Sequence, residues 1–306
     1  MPFKIVFMGT SEFSVPTLEA LIRNKLNVLV SYTQPAKKSK RGQKINPSPI
    51  EKFCKNNGIK FRAPVKLNQE EELIFFEKMR PDIVVVVSYG KIIPKSFLSI
   101  PKFGFINIHA SILPKWRGAA PIQRAIINRD KKIGITIMKI EEKLDSGPVL
   151  YSQELELLQN KTHGEIEKKL SGMGADLLIK SLKVIENDQA IFMEQIHSES
   201  TYAKKIKKGE TKINWNLDAD KVLAHIHGLS PNPGAWFEYK NERYKILKAK
   251  LSMKSGKPSY TVDENLTIAC KSHSIQISEI QRQGKNKQSS KEFLLGKKIK
   301  VGSILN

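Results

Sequence analysis

Asn107 and His109 stand two residues apart at the end of the apolar run Phe105-Ile106-Asn107-Ile108-His109. Side chains at i and i+2 of an extended strand point to one face, so an amide and an imidazole emerge side by side. Beyond them Pro114 and Gly118 punctuate a turn, and Pro121 suits the first turn of a following helix. A neutral amide donor beside a titratable imidazole fits a reaction that develops negative charge on a carbonyl oxygen while protons move. A lone histidine at a strand end is often structural; the paired asparagine is what favours a catalytic reading. A third group is Asp145, in Leu144-Asp145-Ser146-Gly147-Pro148. If a strand at 134–140 neighbours the one at 103–109, Asp145 reaches His109, where a carboxylate holds the tautomer and favours the charged ring. An Asp before Ser-Gly-Pro is equally a turn opener.

Other candidates carry weaker signals. Gly9-Thr10-Ser11 follows the first strand, but there is neither a G-x-G-x-x-G run nor a P-loop, which disfavours dinucleotide binding. A strand-to-helix turn with Thr10 or Ser11 near an N-cap is expected instead. Lys37, Lys38, Lys40, Arg41 and Lys44 put five cations into eight residues directly after the second strand. Such a run is either a solvated loop or a phosphate-contacting one. Arg117 either meets a substrate phosphate or pins its own loop. Cys54 and Cys270 lie far apart with no Cys-x-x-Cys pair, so they read as reduced structural thiols, and no zinc or other metal site is expected.

The elements that must hold these residues come in two textures. Over the first 190 residues strands at 4–8, 28–32, 59–62, 82–87, 103–109, 134–140 and 149–157 alternate with helices at 13–23, 48–56, 70–79, 120–128 and 165–186. Such alternation implies right-handed crossovers and a mostly parallel, Rossmann-like sheet with helices on both faces. Ligands of such sheets bind beyond the carboxyl ends of the strands, where Asn107 and His109 sit. After about residue 190 short strand-like runs appear, at 235–239, 243–249, 266–269, 274–280 and 298–301, separated by turn clusters, as in a small OB-like β-barrel. The expected organisation is a catalytic domain at 1–190, a linker at 191–207 and a barrel domain at 208–306.

With 306 residues, 40% hydrophobic and 27% charged, the chain has an ordinary globular composition. No apolar run approaches the roughly 20 residues of a membrane span, and the first strand is too short for a signal peptide, so a cytoplasmic protein without a membrane partner is expected. The net charge is +22, of which residues 201–306 hold +12 (21 Lys+Arg against 9 Asp+Glu). A basic second part with interleaved aromatics (Trp236, Phe237, Tyr239, Tyr244) suits nucleic acid, although such aromatics more commonly fill a barrel core.

The stretches 107–114, 117–122 and 144–148 together resemble the folate-dependent formyltransferases. Phe7–Ser14, Thr33-Gln34-Pro35, Arg41-Gly42, Pro47–Ile50 and Val86–Gly90 extend the likeness. Tyr202–Ile206, Ile213-Asn214-Trp215 and Pro231–Trp236 carry it into the second part and point to the branch that acts on charged initiator tRNA. Ile112 and Ser146 stand where the family more often has Leu and Thr; neither change removes a functional group. The resemblance implies 10-formyltetrahydrofolate as formyl donor and no metal. It implies a catalytic set of Asn107, His109 and Asp145, and a folate-contacting stretch at Ser111, Ile112, Leu113 and Pro114. It also implies a tRNA-gripping loop with Lys37, Lys38, Lys40 and Arg41. Transfer to another acceptor, or to water, is the rival within the family; an RNA-binding protein with a relic catalytic domain is the rival outside it. A monomer is the default.

Overall fold

The computed structural model of the protein describes residues 3–38, 45–296 and 299–306. It divides into two compact units: Met1–Gly118 with Gly134–Glu154 and Lys168–Tyr202, and Ala119–Ile133 with Leu155–Glu167 and Ala203–Asn306.

A seven-stranded sheet organises the first unit. Its strands are β1 (Lys4–Gly9), β2 (Asn27–Tyr32), β3 (Phe61–Arg62), β4 (Ile83–Val87), β5 (Phe105–His109), β6 (Lys132–Lys139) and β7 (Val149–Glu156), in the spatial order β7-β6-β5-β4-β1-β2-β3. The pairs from β3 to β5 are parallel, and β5–β6 is antiparallel. The mostly parallel sheet expected from the alternation is therefore present. Strand β4, Ile-Val-Val-Val-Val, is buried throughout, as a run apolar on both faces requires.

Period-2 alternation sends Val6, Met8, Val84, Val86 and Phe105 into one cluster with Phe76 of α3 (Glu70–Met79) and Phe97. On the opposite face Ile108 and Ile135 lie where a Cβ on Gly174 would fall, 2.8 and 3.7 Å away, so the long helix His163–Glu186 presses its backbone against β5 and β6 there. Helices α1 (Val15–Arg23) and α2 (Pro49–Asn56) follow β1 and β2. Ser48 caps α2 by accepting from Glu51 N at 2.9 Å, with Pro49 at its first position.

The second unit holds a five-stranded antiparallel sheet. Strands β8 (Ala235–Tyr239), β9 (Glu242–Ser252), β11 (Ser274–Arg282) and β10 (Thr267–Ala269) neighbour one another in that order, and β12 (Lys287–Ser289) pairs with β11. Its core includes Trp215, Phe237, Tyr244, Ile246, Ile268 and Ile277. Two helices here were not expected. Ala219–Leu229 places Val222, Leu223, Ile226 and Leu229 at helical spacing on the core, but Gly228 and two histidines in its last turn blur the pattern. Ser290–Gly296 is short, with Phe293 as its buried anchor. Of the strand expected at 298–301, residue 298 lies outside the described residues, 299–300 are not in a strand, and Val301 enters a turn with Gly302 at φ +81°. Only a single bridge, Ile304 to Tyr260, follows. A β-branched pair looked like a strand, and the glycine turn overrode it.

Candidate active site

His109 and Asp145 meet at the carboxyl end of β5, within the first unit, and Asn107 stands two residues before His109 on the same strand. Asn107 and His109 lie on the same face of the strand as Phe105, opposite Met138 and Thr136 of the antiparallel neighbour β6. His109 is 6% exposed. Its Nε2 lies 2.9 Å from the carbonyl oxygen of Trp116. A carbonyl can only accept, so Nε2 carries hydrogen. The other nitrogen, Nδ1, faces Asp145 Oδ2 at 3.6 Å, inside ion-pair range and beyond a hydrogen bond. A neutral ring protonated on Nε2 would turn a lone pair toward the carboxylate. The two groups attract each other directly only when a proton lies between Nδ1 and the carboxylate. The expected meeting of His109 and Asp145 is realised, but the tautomer is set by the Trp116 carbonyl rather than by the carboxylate.

Asp145 is fixed from several directions. It adopts the left-handed region at φ +49°, an uncommon conformation for a non-glycine residue. Its Oδ2 accepts from Gly118 N at 2.8 Å, and its carbonyl accepts from Gln195 Nε2 at 3.0 Å. Gly147 follows at a point where a Cβ would meet the Lys139 carbonyl oxygen, so only glycine fits there.

Arg117, left open between phosphate contact and loop pinning, is 3% exposed and pins the loop. Its Nε and Nη2 donate to Gln195 Oε1 at 3.1 and 2.6 Å, and Nη2 also donates to His197 Nδ1 at 2.9 Å. Gln195 gave no signal in the sequence, because its partners lie 78 and 50 residues away. Thr136 was likewise missed. Its hydroxyl donates to the Ser111 carbonyl at 2.7 Å, accepts from Leu113 N at 3.2 Å and lies 3.1 Å from Ser152 Oγ. Ser111 Oγ donates to the Lys115 carbonyl at 2.6 Å, and Lys115 N to the Ile112 carbonyl at 3.1 Å. The turn Ser111-Ile112-Leu113-Pro114 is thus shaped by internal bonds beside the dyad.

A second knot ties the ends of β1, β2 and β4. Thr10 Oγ1 and Gln34 Nε2 both donate to the Tyr89 carbonyl, at 2.8 and 2.9 Å, and Ser11 Oγ donates to Ser88 Oγ at 2.9 Å. Ser11 therefore stands at the N-cap position of the short turn Glu12–Ser14 without capping it. Burial, with the charge of Glu72, pushes the Tyr89 phenol up to about 12, so it stays neutral. Of the basic loop, Lys37–Lys38 pairs antiparallel with Ile45–Asn46 at the base of the loop, while Lys40 and Arg41 lie outside the described residues. Cys54 and Cys270 are both free and buried. In the second unit Phe237 and Tyr244 are core residues, as expected of most of these aromatics. Trp236 and Tyr239 are half-buried, with Arg243 4.2 Å from the Trp236 ring and Lys240 5.5 Å from the Tyr239 ring. Among the described residues no helix is long and apolar enough to cross a membrane.

An α/β sheet with Asn107 and His109 at one strand end and the Asp145 carboxylate facing the imidazole is an arrangement suited to polar group transfer. Residues 3–182 match the formyl transferase family model, and residues 205–298 match the model of the formyl transferase C-terminal domain. The fold is shared with HypX from Aquifex aeolicus in complex with tetrahydrofolic acid (TM-score 0.69, 16% identity), covering 96% of this chain and 47% of that one. It is shared too with the N-formyltransferase of Helicobacter canadensis (TM-score 0.68, 20% identity), covering 92% and 99%. Among curated proteins, the methionyl-tRNA formyltransferase of Pelagibacter ubique is 48% identical, covering 99% of this chain and 98% of its own length. That of Bradyrhizobium diazoefficiens is 40% identical, covering 99% of each. The chain belongs to the formyl transferase family, among the methionyl-tRNA formyltransferases.

Proposed function

We propose that this protein transfers the formyl group of 10-formyltetrahydrofolate to the α-amino group of methionyl initiator tRNA, with Asn107, His109 and Asp145 as the reacting set. The observation that carries the reading is the His109–Asp145 pair, 3.6 Å apart, with His109 on the strand that also presents Asn107. The amine attacks as the free base; with an α-amino pKa near about 8, a fair fraction is neutral at physiological pH. Its lone pair forms the new C–N bond to the formyl carbon, and the carbonyl π pair moves onto oxygen. Asn107 donates its amide N–H to that oxyanion, a contact whose loss costs about 3–4 kcal/mol of barrier in comparable sites. The nitrogen's surplus proton passes to the shared His109–Asp145 position. Collapse of the oxyanion expels N10 of the folate, which takes a proton in turn. Imidazole and carboxylate act as one proton-holding pair, which contributes on the order of 10²–10⁴ in rate.

Ser111, Ile112, Leu113 and Pro114 form the folate-contacting turn; the bonds from Thr136 that shape it support this placement. The loop with Lys37, Lys38, Lys40 and Arg41 grips the acceptor arm, and the basic residues of 208–306 hold the tRNA body after a catalytic domain at 1–190 and a linker at 191–207. On this reading the protein is a cytoplasmic monomer.

The test is one assay with three arms: 10-formyltetrahydrofolate with charged initiator tRNA, with uncharged tRNA, or with no acceptor. Formylmethionine in the first arm alone is expected; folate consumption without an acceptor would instead make the protein a hydrolase. Arg41→Ala should weaken productive tRNA use more than folate binding, and equal losses in the two titrations would remove the loop from the tRNA site.

A further inference from the structure

Residues 116–118 hold both members of the dyad at once: the Trp116 carbonyl accepts from His109 Nε2, and Gly118 N donates to Asp145 Oδ2. Between them the Arg117 side chain leaves the loop for Gln195. The Gln195 amide is fully used. Its oxygen accepts both Arg117 donors, and its nitrogen donates to the Asp145 carbonyl at 3.0 Å and to the Gly147 carbonyl at 2.7 Å. The chain of bonds closes on itself, from the Asp145 carboxylate through Gly118, Arg117 and Gln195 back to the Asp145 main chain. Gln195 is 7% exposed, so water does not compete for these bonds. Its own segment is anchored further on, where Thr201 Oγ1 accepts from Trp116 N and the Thr201 carbonyl from Arg117 N, each at 2.8 Å.

We infer that Gln195 and Arg117 are positioning residues for the formyl transfer: a buried amide–guanidinium brace that sets the gap between His109 and Asp145 without touching substrate. The inference rests on the reading of those two residues as the proton-holding pair. A gap of 3.6 Å lies just outside hydrogen-bond reach, so a shift of a few tenths of an ångström in either direction makes or breaks a direct bond. Asp145, in its left-handed conformation, has no regular secondary structure of its own to hold it there. Only an amide serves at position 195. A carboxylate would keep the Arg117 pairing, lose both N–H donors and face two carbonyl oxygens. An aliphatic chain would leave a buried guanidinium short of acceptors.

The experiment compares the unmodified protein with Gln195→Glu and Arg117→Lys, measuring kcat and KM for both substrates, thermal stability, and the His109 ring resonances in 1H–15N spectra at fixed pH. Displacement of the dyad is expected to lower kcat by about 10–100-fold, to leave both KM values within about threefold and to move the His109 resonances. A drop in stability with kcat and the His109 resonances unchanged would overturn the assignment and leave the brace purely structural. If Gln195→Glu does not fold, Arg117→Lys decides by the same criteria, and failure of both to fold would also overturn it. Should the unmodified protein transfer no formyl group to methionyl-tRNA, the proposed function fails, while the ring resonances still report whether the brace sets the dyad.

Discussion

Two buried imidazoles, one in each unit, have opposite fates. His227, on the helix Ala219–Leu229, is fully buried and saturated: Nδ1 donates to the Gln159 carbonyl at 3.0 Å, and Nε2 accepts from Ala249 N at 3.3 Å. Both nitrogens are used by the neutral ring, and burial pushes its pKa down, so it is a fixed hydrogen-bonding plug. His109 has only one nitrogen so satisfied. The other faces a carboxylate across a gap too wide for a hydrogen bond, and a proton placed there is held by both groups. On the proposed reading, that difference is what lets His109 hold and pass a proton while His227 only packs.

The sharpest way to break this contrast is His109→Asn. It should lower kcat by about 10²–10⁴ while formyl-donor and tRNA binding survive, as followed by single-turnover kinetics and equilibrium titration. Near-normal turnover would make His109 the same kind of plug as His227. Asp145→Asn comes next. The amide oxygen can still accept from Gly118, so the loop is kept while the charge facing Nδ1 is removed. A loss of about a hundredfold in kcat with stability retained is expected, and a variant that merely melts early would assign Asp145 to loop closure. His227→Ala should do the reverse: two bonds and packing are lost, costing about 2–4 kcal/mol of stability, while turnover of the folded protein is unchanged. Denaturant titration beside the activity assay separates the two outcomes.

The smallest effect concerns acid. His163 is buried, with Nδ1 lacking a partner, and desolvation lowers its pKa to about 4; His227 is lowered in the same direction. The unfolded chain therefore binds more protons than the folded one below the usual histidine value. These two residues leave stability intact above about pH 6.5 and remove it as the pH falls, for His163 down to about 4. That amounts to at most about 3 kcal/mol for His163. Melting temperatures across this window should fall more steeply in the natural protein than in His163→Phe. Equal slopes would mean that the ring is not held neutral.

Much of this was legible in the linear chain because it rests on local rules. The i, i+2 spacing placed Asn107 and His109 on one face, and the β-branched run at 83–87 announced a central strand. The helix at 48–56 was readable, with Pro49 in its first turn, although Ser48 proved to be its cap rather than part of it. Gln195 was not legible, since an isolated glutamine in an irregular segment has no pattern until Arg117 and Asp145 come to meet it. Nor was the role of Arg117, which the same residue type could have served on a phosphate.

By itself, then, the order of residues determined which groups could react, which strand presents two of them, and the change of texture near residue 190. The folded chain alone decided that the Trp116 carbonyl sets the tautomer of His109, that Asp145 turns toward the ring, and that a buried glutamine ties the two supports together. The division follows from range. Periodicity and capping act over a few residues, whereas hydrogen bonds between groups 50 to 80 positions apart exist only once the sheet has brought its strand ends together.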